Sequence, residues 1–408
     1  MTMVKIVRAW IYHLRVWYCL KRQWTRSVAL VDRVSIVGDN ALIIPCDPWG
    51  VVGSRGDQAM ILSVLQHCRE RQIDILTDSP ATDAACRELR MNPLPQWNVP
   101  FDKWMRENAA RYSQVFILGA DVTDGVYGWT VSMKLLMFYD CFSRLGVETH
   151  YLGFSWSKTP SPWMHLVLPF LKKGLPLPVR DPVSLERLTR FTRHRPLVQV
   201  ADAAFLLKPN ETPRTRLWTD WCGAQKASGK TVIAINAHQM FNDAAAKSDA
   251  WEAAFASMLN RMREARPEIA YLLVPHDNRP TVSDLPVLRR LSAQIQGATL
   301  VDCVLNADEI KQILGGCDAL VAGRMHLSIA ALGQCVPVMG LVYQGKFEGL
   351  WEHFGLLSDT LMNPSEPLLD PEKAFLKMSG FVATLPQVRQ QIAARLPSVL
   401  KLAEGNFS

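Results

Sequence analysis

The sequence predicts an α/β protein built from two doubly wound, Rossmann-like halves that face each other across a cleft, preceded by an amphipathic N-terminal helix. Three observations carry this. Short apolar runs alternate with helix-length amphipathic segments along most of the chain. Many runs end in Gly or Asp, as in parallel βαβ units. The 408 residues exceed what one small core needs, so two units of roughly 150 to 200 residues are expected.

Residues 1–27 form the first expected element. They carry Lys5, Arg8, Arg15, Lys21, Arg22 and Arg26 and no acid, leaving 39 basic against 38 acidic residues for the rest of the chain. The net charge of +7 therefore belongs almost entirely to this segment. Trp10, Trp17 and Trp24 recur every seven residues, and Arg8, Arg15 and Arg22 do so on roughly the opposite side of a helix. Such a helix lies in an anionic membrane interface, indoles among the headgroups, or packs its Trp face on protein. It is too charged to span a bilayer and lacks the apolar core and cleavage site of a signal peptide.

Residues 28–205 make the first Rossmann-like half. Its strands are ALIIPCD (41–47), IDILTD (73–78), QVFILGAD (114–121) and VETHYLGFSW (147–156). Helices follow the Gly-rich turn at 50–56 and the stretch GWTVSMKLLMFYDCFSRLG. A proline-bearing connection (Pro169, Pro176, Pro178) precedes the link, which is expected near 200–225. Residues 206–385 make the second half, with strands TVIAINAH, IAYLLVPHD, ATLVDCV, ALVAGR and VPVMGLVY, and 386–408 a C-terminal helix. Nine cysteines are scattered without CxxC pairs, so reduced thiols are expected rather than a disulfide or metal framework.

In such sheets ligands sit beyond the carboxyl ends of strands, which is where the polar candidates fall. Gly53, Ser54 and Asp57 lie in the first strand-to-helix turn, whose backbone N–H groups suit an anion or a sugar hydroxyl. The turn is neither GxGxxG nor a P-loop, so dinucleotide binding and NTPase activity gain no support. Asp121 ends another strand. In the second half, Asn236 with His238, His276 with Asp277, and Arg324 with His326 end three strands. No HxH or HExxH spacing supports a metal. Arg324 and Lys346 in one region favour a small anion.

The sequence resembles the polysaccharide pyruvyl transferase family from about residue 40 to 360. The resemblance rests on GSRGDQAM at the first turn, ILGAD followed by DG, VRDPVSLERL (179–188), DAAF (202–205) and GRMHLSIAALGQCVPVMGLVYQGKFEGL (323–350). The last is the most specific, an Arg-x-His element followed by a small-residue helix and a Tyr-x-x-Lys stretch. Gln58 stands where the family often has an acid, and the N-terminal Trp/Arg helix lies outside the family pattern. The resemblance implies a GT-B-like fold and transfer of a pyruvyl group from phosphoenolpyruvate to a sugar, as a ketal. The acceptor is then a sugar of a bacterial exopolysaccharide repeat unit, lipid-linked at the inner face of the cytoplasmic membrane. The implied protein is cytoplasmic and peripheral, with no cofactor, metal or nucleic acid, and as a monomer or an oligomer.

Resemblance and residue chemistry together suggest the roles. His326 protonates C3 of phosphoenolpyruvate, and Arg324 binds its phosphate or carboxylate. Arg180, Lys346, Tyr343 and His276 complete the phosphoenolpyruvate side, while Gly53, Ser54, Asp57 and Asp121 face the acceptor. Two other classes compete. A GT-B glycosyltransferase would need a base-and-ribose pocket for a nucleotide sugar. A non-catalytic scaffold of polysaccharide assembly would have no use for the Arg324, His326 and Lys346 set.

Overall fold

The structure, a computed structural model, describes residues 3–408 other than 32, 50, 53, 69, 70, 79, 193, 239, 240, 242–247, 280, 281, 343–346 and 357. Gly53, Tyr343 and Lys346 thus lie outside the described residues.

Two parallel sheets organise the chain. The first holds β1 (Asn40–Ile44), β2 (Ile73–Leu76), β3 (Asn92–Leu94), β4 (Tyr112–Ala120), β5 (Glu148–Phe154), β6 (Leu177–Val179) and β7 (Leu197–Gln199), in the order 3-2-1-4-5-6-7. The second holds β8 (Thr231–Asn236), β9 (Ile269–Leu273), β10 (Thr299–Leu300), β11 (Ala319–Ala322), β12 (Val338–Leu341) and β13 (Leu361–Met362), in the order 10-9-8-11-12-13. The two sheets share one winding scheme, which reverses direction between β1 and β4 and between β8 and β11. Helices cover both faces, so the central strands are near-continuous apolar runs; β4 is buried along almost its whole length.

Short contacts clamp the two halves together. Helix α2 (Arg55–His67) follows β1. Its Arg55 is buried and donates from Nε to the Leu305 carbonyl at 2.6 Å. The Gln58 amide donates to Asn306 Oδ1 (3.1 Å) and accepts from Ala307 N–H (2.8 Å), at the start of the helix Ala307–Gly315. A carboxylate at 58 could accept but not donate, so glutamine here serves the contact between halves. The C-terminal helix Leu385–Glu404 returns the chain to the first half. There Asn406 bonds Gly153 N–H and the Ala201 carbonyl, and Phe407 stacks on His67.

Helix α1 (Met3–Val31) packs its Trp face on the first half. Trp24 is buried and donates from Nε1 to Asp140 Oδ2 at 2.8 Å. Trp17 meets Phe170, and Trp10 meets Trp163. The seven-residue Trp repeat is thus chiefly a core-facing stripe, which corrects the expectation of indoles in headgroups for Trp17 and Trp24. Among the described residues no helix is long and apolar enough to cross a membrane.

Candidate active site

Strand ends from both sheets meet in a cleft of about 440 Å³. The loops after β1 and β4 supply one wall, and those after β9 and β11 the other. These positions flank the reversals of winding, where open α/β sheets bind ligands.

The first-half wall is acidic. Cys46, Asp47, Ser54, Asp57 and Asp121 line it. Ser54 caps α2 by accepting from Asp57 N–H, and it pairs with Asp277 across the cleft. Asp57 sits in the first turn of α2 and accepts a hydrogen bond from the Cys46 thiol at 3.2 Å. Burial pushes its carboxyl up to about 6, although nearby His326 and the thiol bond pull the other way. Burial and the Asp57 carboxylate push the Cys46 thiol well up, so it stays a protonated donor.

The opposite wall carries His276, Asp277, Arg279, Arg324 and His326. His276 is neutral: burial first, then His326 and Arg324, hold it well below the ordinary imidazole range. It can orient a substrate but supplies no charge to an anion. Arg324 is not a free cation. Its Nε and Nη2 bond Asp284 Oδ1 at 3.1 and 2.6 Å, and Nη1 lies 3.3 Å from Asp277. Asp277 in turn grips Arg279. Asp284 is fully buried and also accepts from Asn236 Nδ2 and from the N–H groups of His276 and Asp277. One carboxylate therefore fixes three of the strand ends named from sequence. Arg324 is also the N-cap residue of the helix Met325–Leu332, whose first turn no side chain caps. That turn offers orphan N–H groups and a positive dipole end to an anion.

His326 lies between the walls. A Cβ on Gly56 would fall 2.8 Å from His326 Cγ and closer still to Nδ1, so only glycine lets the imidazole rest on α2. Its Nε2 lies 3.5 Å from Asp202 Oδ2. Burial alone would raise the Asp202 carboxyl, but His326 and Arg180 hold it well below the usual carboxylate range.

Arg180 sits behind the cleft wall. It is buried and does not line the cleft; it donates to Asp202 at 2.8 Å and Ser155 at 2.7 Å. Its charge is matched inside the protein by Asp202, the carboxylate behind His326. Sequence reasoning missed Cys46, Arg279, Asp284, Tyr127 and the role of Asp202. The DAAF motif was the one available signal for Asp202.

The sequence pattern of the family described as Polysaccharide pyruvyl transferase matches residues 55–345. The chain belongs to the polysaccharide pyruvyl transferase family. No curated protein matches it. Solved structures of similar shape include a glycosyltransferase from Rickettsia africae, with 10% identity, 91% of this chain and 99% of that one covered, and a TM-score of 0.53. A UDP-GlcNAc 2-epimerase from Neisseria meningitidis, bound to UDP-GlcNAc, shares 8% identity over 87% and 94% of the two chains, with a TM-score of 0.53. A ugt transferase from Siraitia grosvenorii in complex with UDP shares 11% identity over 90% and 98%, with a TM-score of 0.51. These likenesses show the fold, which is GT-B. The span matched to the pyruvyl transferase family holds Asp57, Arg180, Asp202, His276, Arg324 and His326, and α1 lies outside it.

Proposed function

We propose that this polysaccharide pyruvyl transferase moves the pyruvyl group of phosphoenolpyruvate onto two hydroxyls of one sugar as a cyclic ketal, releasing phosphate. The observation that carries this is the polarity of the cleft. Acids face it from the first half; from the second come imidazoles, a helix N-terminus and two arginines whose charge is partly met by Asp277 and Asp284. A donor with phosphate and carboxylate suits the second wall. A sugar hydroxyl that must lose a proton suits the first.

The chemistry then runs with named groups. Asp57, poised near neutrality by its burial, takes the proton of the attacking hydroxyl. That oxygen bonds C2 of phosphoenolpyruvate while His326 delivers a proton to C3, forming a methyl group. Asp202 supports the imidazolium before transfer. The bond from C2 to the phosphate oxygen then breaks with the electron pair leaving on phosphate, and the second hydroxyl bonds C2 to close the ketal, its proton passing to the imidazole of His326. Asp121 holds the acceptor. The acceptor is a lipid-linked sugar of an exopolysaccharide repeat unit, met at the inner face of a bacterial cytoplasmic membrane.

The test mixes enzyme, phosphoenolpyruvate and a sugar acceptor, then measures phosphate release and the mass of the sugar. One phosphate per ketal formed supports the reading. Sugar transfer from a nucleotide sugar, with phosphoenolpyruvate inert, would replace it with glycosyl transfer.

A further inference from the structure

We infer that the outward face of α1 is a docking surface for an anionic lipid bilayer. Packing of the Trp stripe on the body decides which face is free. Ile11, Arg15, Tyr18 and Arg22 recur at i, i+4, i+7 and i+11, so they share one line along the helix. All four are exposed, as are Leu14 and Arg8 to either side. The Arg22 guanidinium lies 5.9 Å from the Tyr18 ring. The face thus mixes cations with apolar and amphipathic side chains, as interfacial helices do.

The apolar exposure is concentrated rather than scattered. Of fifteen exposed large hydrophobic side chains among the described residues, five fall within residues 10–18. Three more, Val126, Tyr127 and Leu166, flank the stacked pair Trp129 and Trp163, whose centroids are 4.9 Å apart. Trp10 lies 5.7 Å from Trp163, and His13 accepts from Trp129 Nε1 at 3.2 Å. These contacts are made by the body-facing side of α1; Tyr127, two residues before Trp129, lines the cleft. Eight of the fifteen thus lie on α1 or within three residues of this buried tryptophan pair.

Charge selects the occupant. Residues 1–26 hold six basic residues and no acid, while the remainder of the chain is close to neutral. A protein partner would need a matching acidic and apolar surface, and a second copy of this chain offers the same cations to itself. An anionic bilayer supplies both needs at once. The inference extends the reading of a lipid-linked acceptor, because α1 would hold the enzyme at the membrane surface where such an acceptor is anchored.

The test uses the full-length protein and vesicles of phosphatidylcholine with or without about one-third phosphatidylglycerol, at low and high salt. Sedimentation with anionic vesicles only, lost at high salt, is expected. Arg8→Gln/Arg15→Gln/Arg22→Gln should weaken binding roughly a hundredfold, from about a tenfold loss per 1.4 kcal/mol and about 1 kcal/mol per basic residue. Ile11→Ser/Leu14→Ser/Tyr18→Ser should weaken it with charge unchanged, and both variants should melt like the parent. Failure of the parent to bind anionic vesicles overturns the inference. So does a dimer in solution that either triple variant converts to monomer. Neither substrate is present, so this result is independent of pyruvyl transfer, which a soluble acceptor reports separately.

Discussion

Replacing Asp57 with asparagine should stabilise the protein at pH 8 while removing most of its activity. Burial lifts the Asp57 carboxyl from 3.8 to about 6. Each unit is worth about 1.36 kcal/mol, so ionising this group in the folded protein costs about 3 kcal/mol. The direction follows from proton binding. Between pH 3.8 and 6 the folded protein keeps a proton that the unfolded chain releases, so stability falls as pH rises through that window. Above it the full cost is present. Asparagine removes the charge yet keeps an Oδ1 for the Cys46 thiol. The variant should therefore gain about 3 kcal/mol at pH 8, shrinking to about 1 kcal/mol at pH 4.5. Denaturant melts at both pH values measure this. In the same variant kcat should drop about 10²- to 10⁴-fold, the range for a lost general base. The rise of parental kcat/KM with pH through about 6 should also vanish. An asparagine variant that is less stable at pH 8, or that keeps parental activity, would refute the reasoning.

Other outcomes follow from the same geometry. Gly56→Ala places a methyl against the His326 ring and should cost roughly a hundredfold in transfer, the scale of an ångström misplacement, with phosphoenolpyruvate affinity little changed. Arg324→Ala leaves fully buried Asp284 without its cation and should destabilise by about 3–5 kcal/mol in urea melts; adding Asp284→Asn should recover part of that loss. Burial holds His238 down to about 2 and His276 well below 6.5, so below pH 6.5 the unfolded chain binds protons that the folded protein cannot. Each imidazole should then contribute a loss of about 1.36 kcal/mol per pH unit, and His238→Gln should flatten the acid limb of the stability profile.

The sequence made the architecture legible wherever a strand is a central, two-face-buried apolar run. All nine expected strands occur, β1, β2, β4, β5, β8, β9, β11 and β12 clearly and β10 as two residues. The missed strands β3, β6, β7 and β13 are two or three residues long, and β3 and β6 each contain proline. Runs that short show no periodicity, and tertiary pairing alone makes them strands. The site was legible as polar residues ending apolar runs, which is how Asp57, Asp121, His276, Arg324 and His326 could be named. Their pairings were not, because Asp284 lies 40 residues from Arg324 and Asp202 over 100 from His326. Arg180 shows the cost: its buried pairing with Asp202, 22 residues away, has no mark in the sequence. The Trp repeat of α1 gave a face but could not say that the body covers it.

The most direct measurement is the melting temperature of the protein with phosphoenolpyruvate, set beside His326→Ala and beside a nucleotide sugar. Phosphoenolpyruvate at about 100 times its Kd should stabilise the parent by about 2.7 kcal/mol. His326→Ala should keep most of this while releasing no phosphate in the presence of acceptor. Stabilisation by the nucleotide sugar and none by phosphoenolpyruvate would contradict pyruvyl transfer.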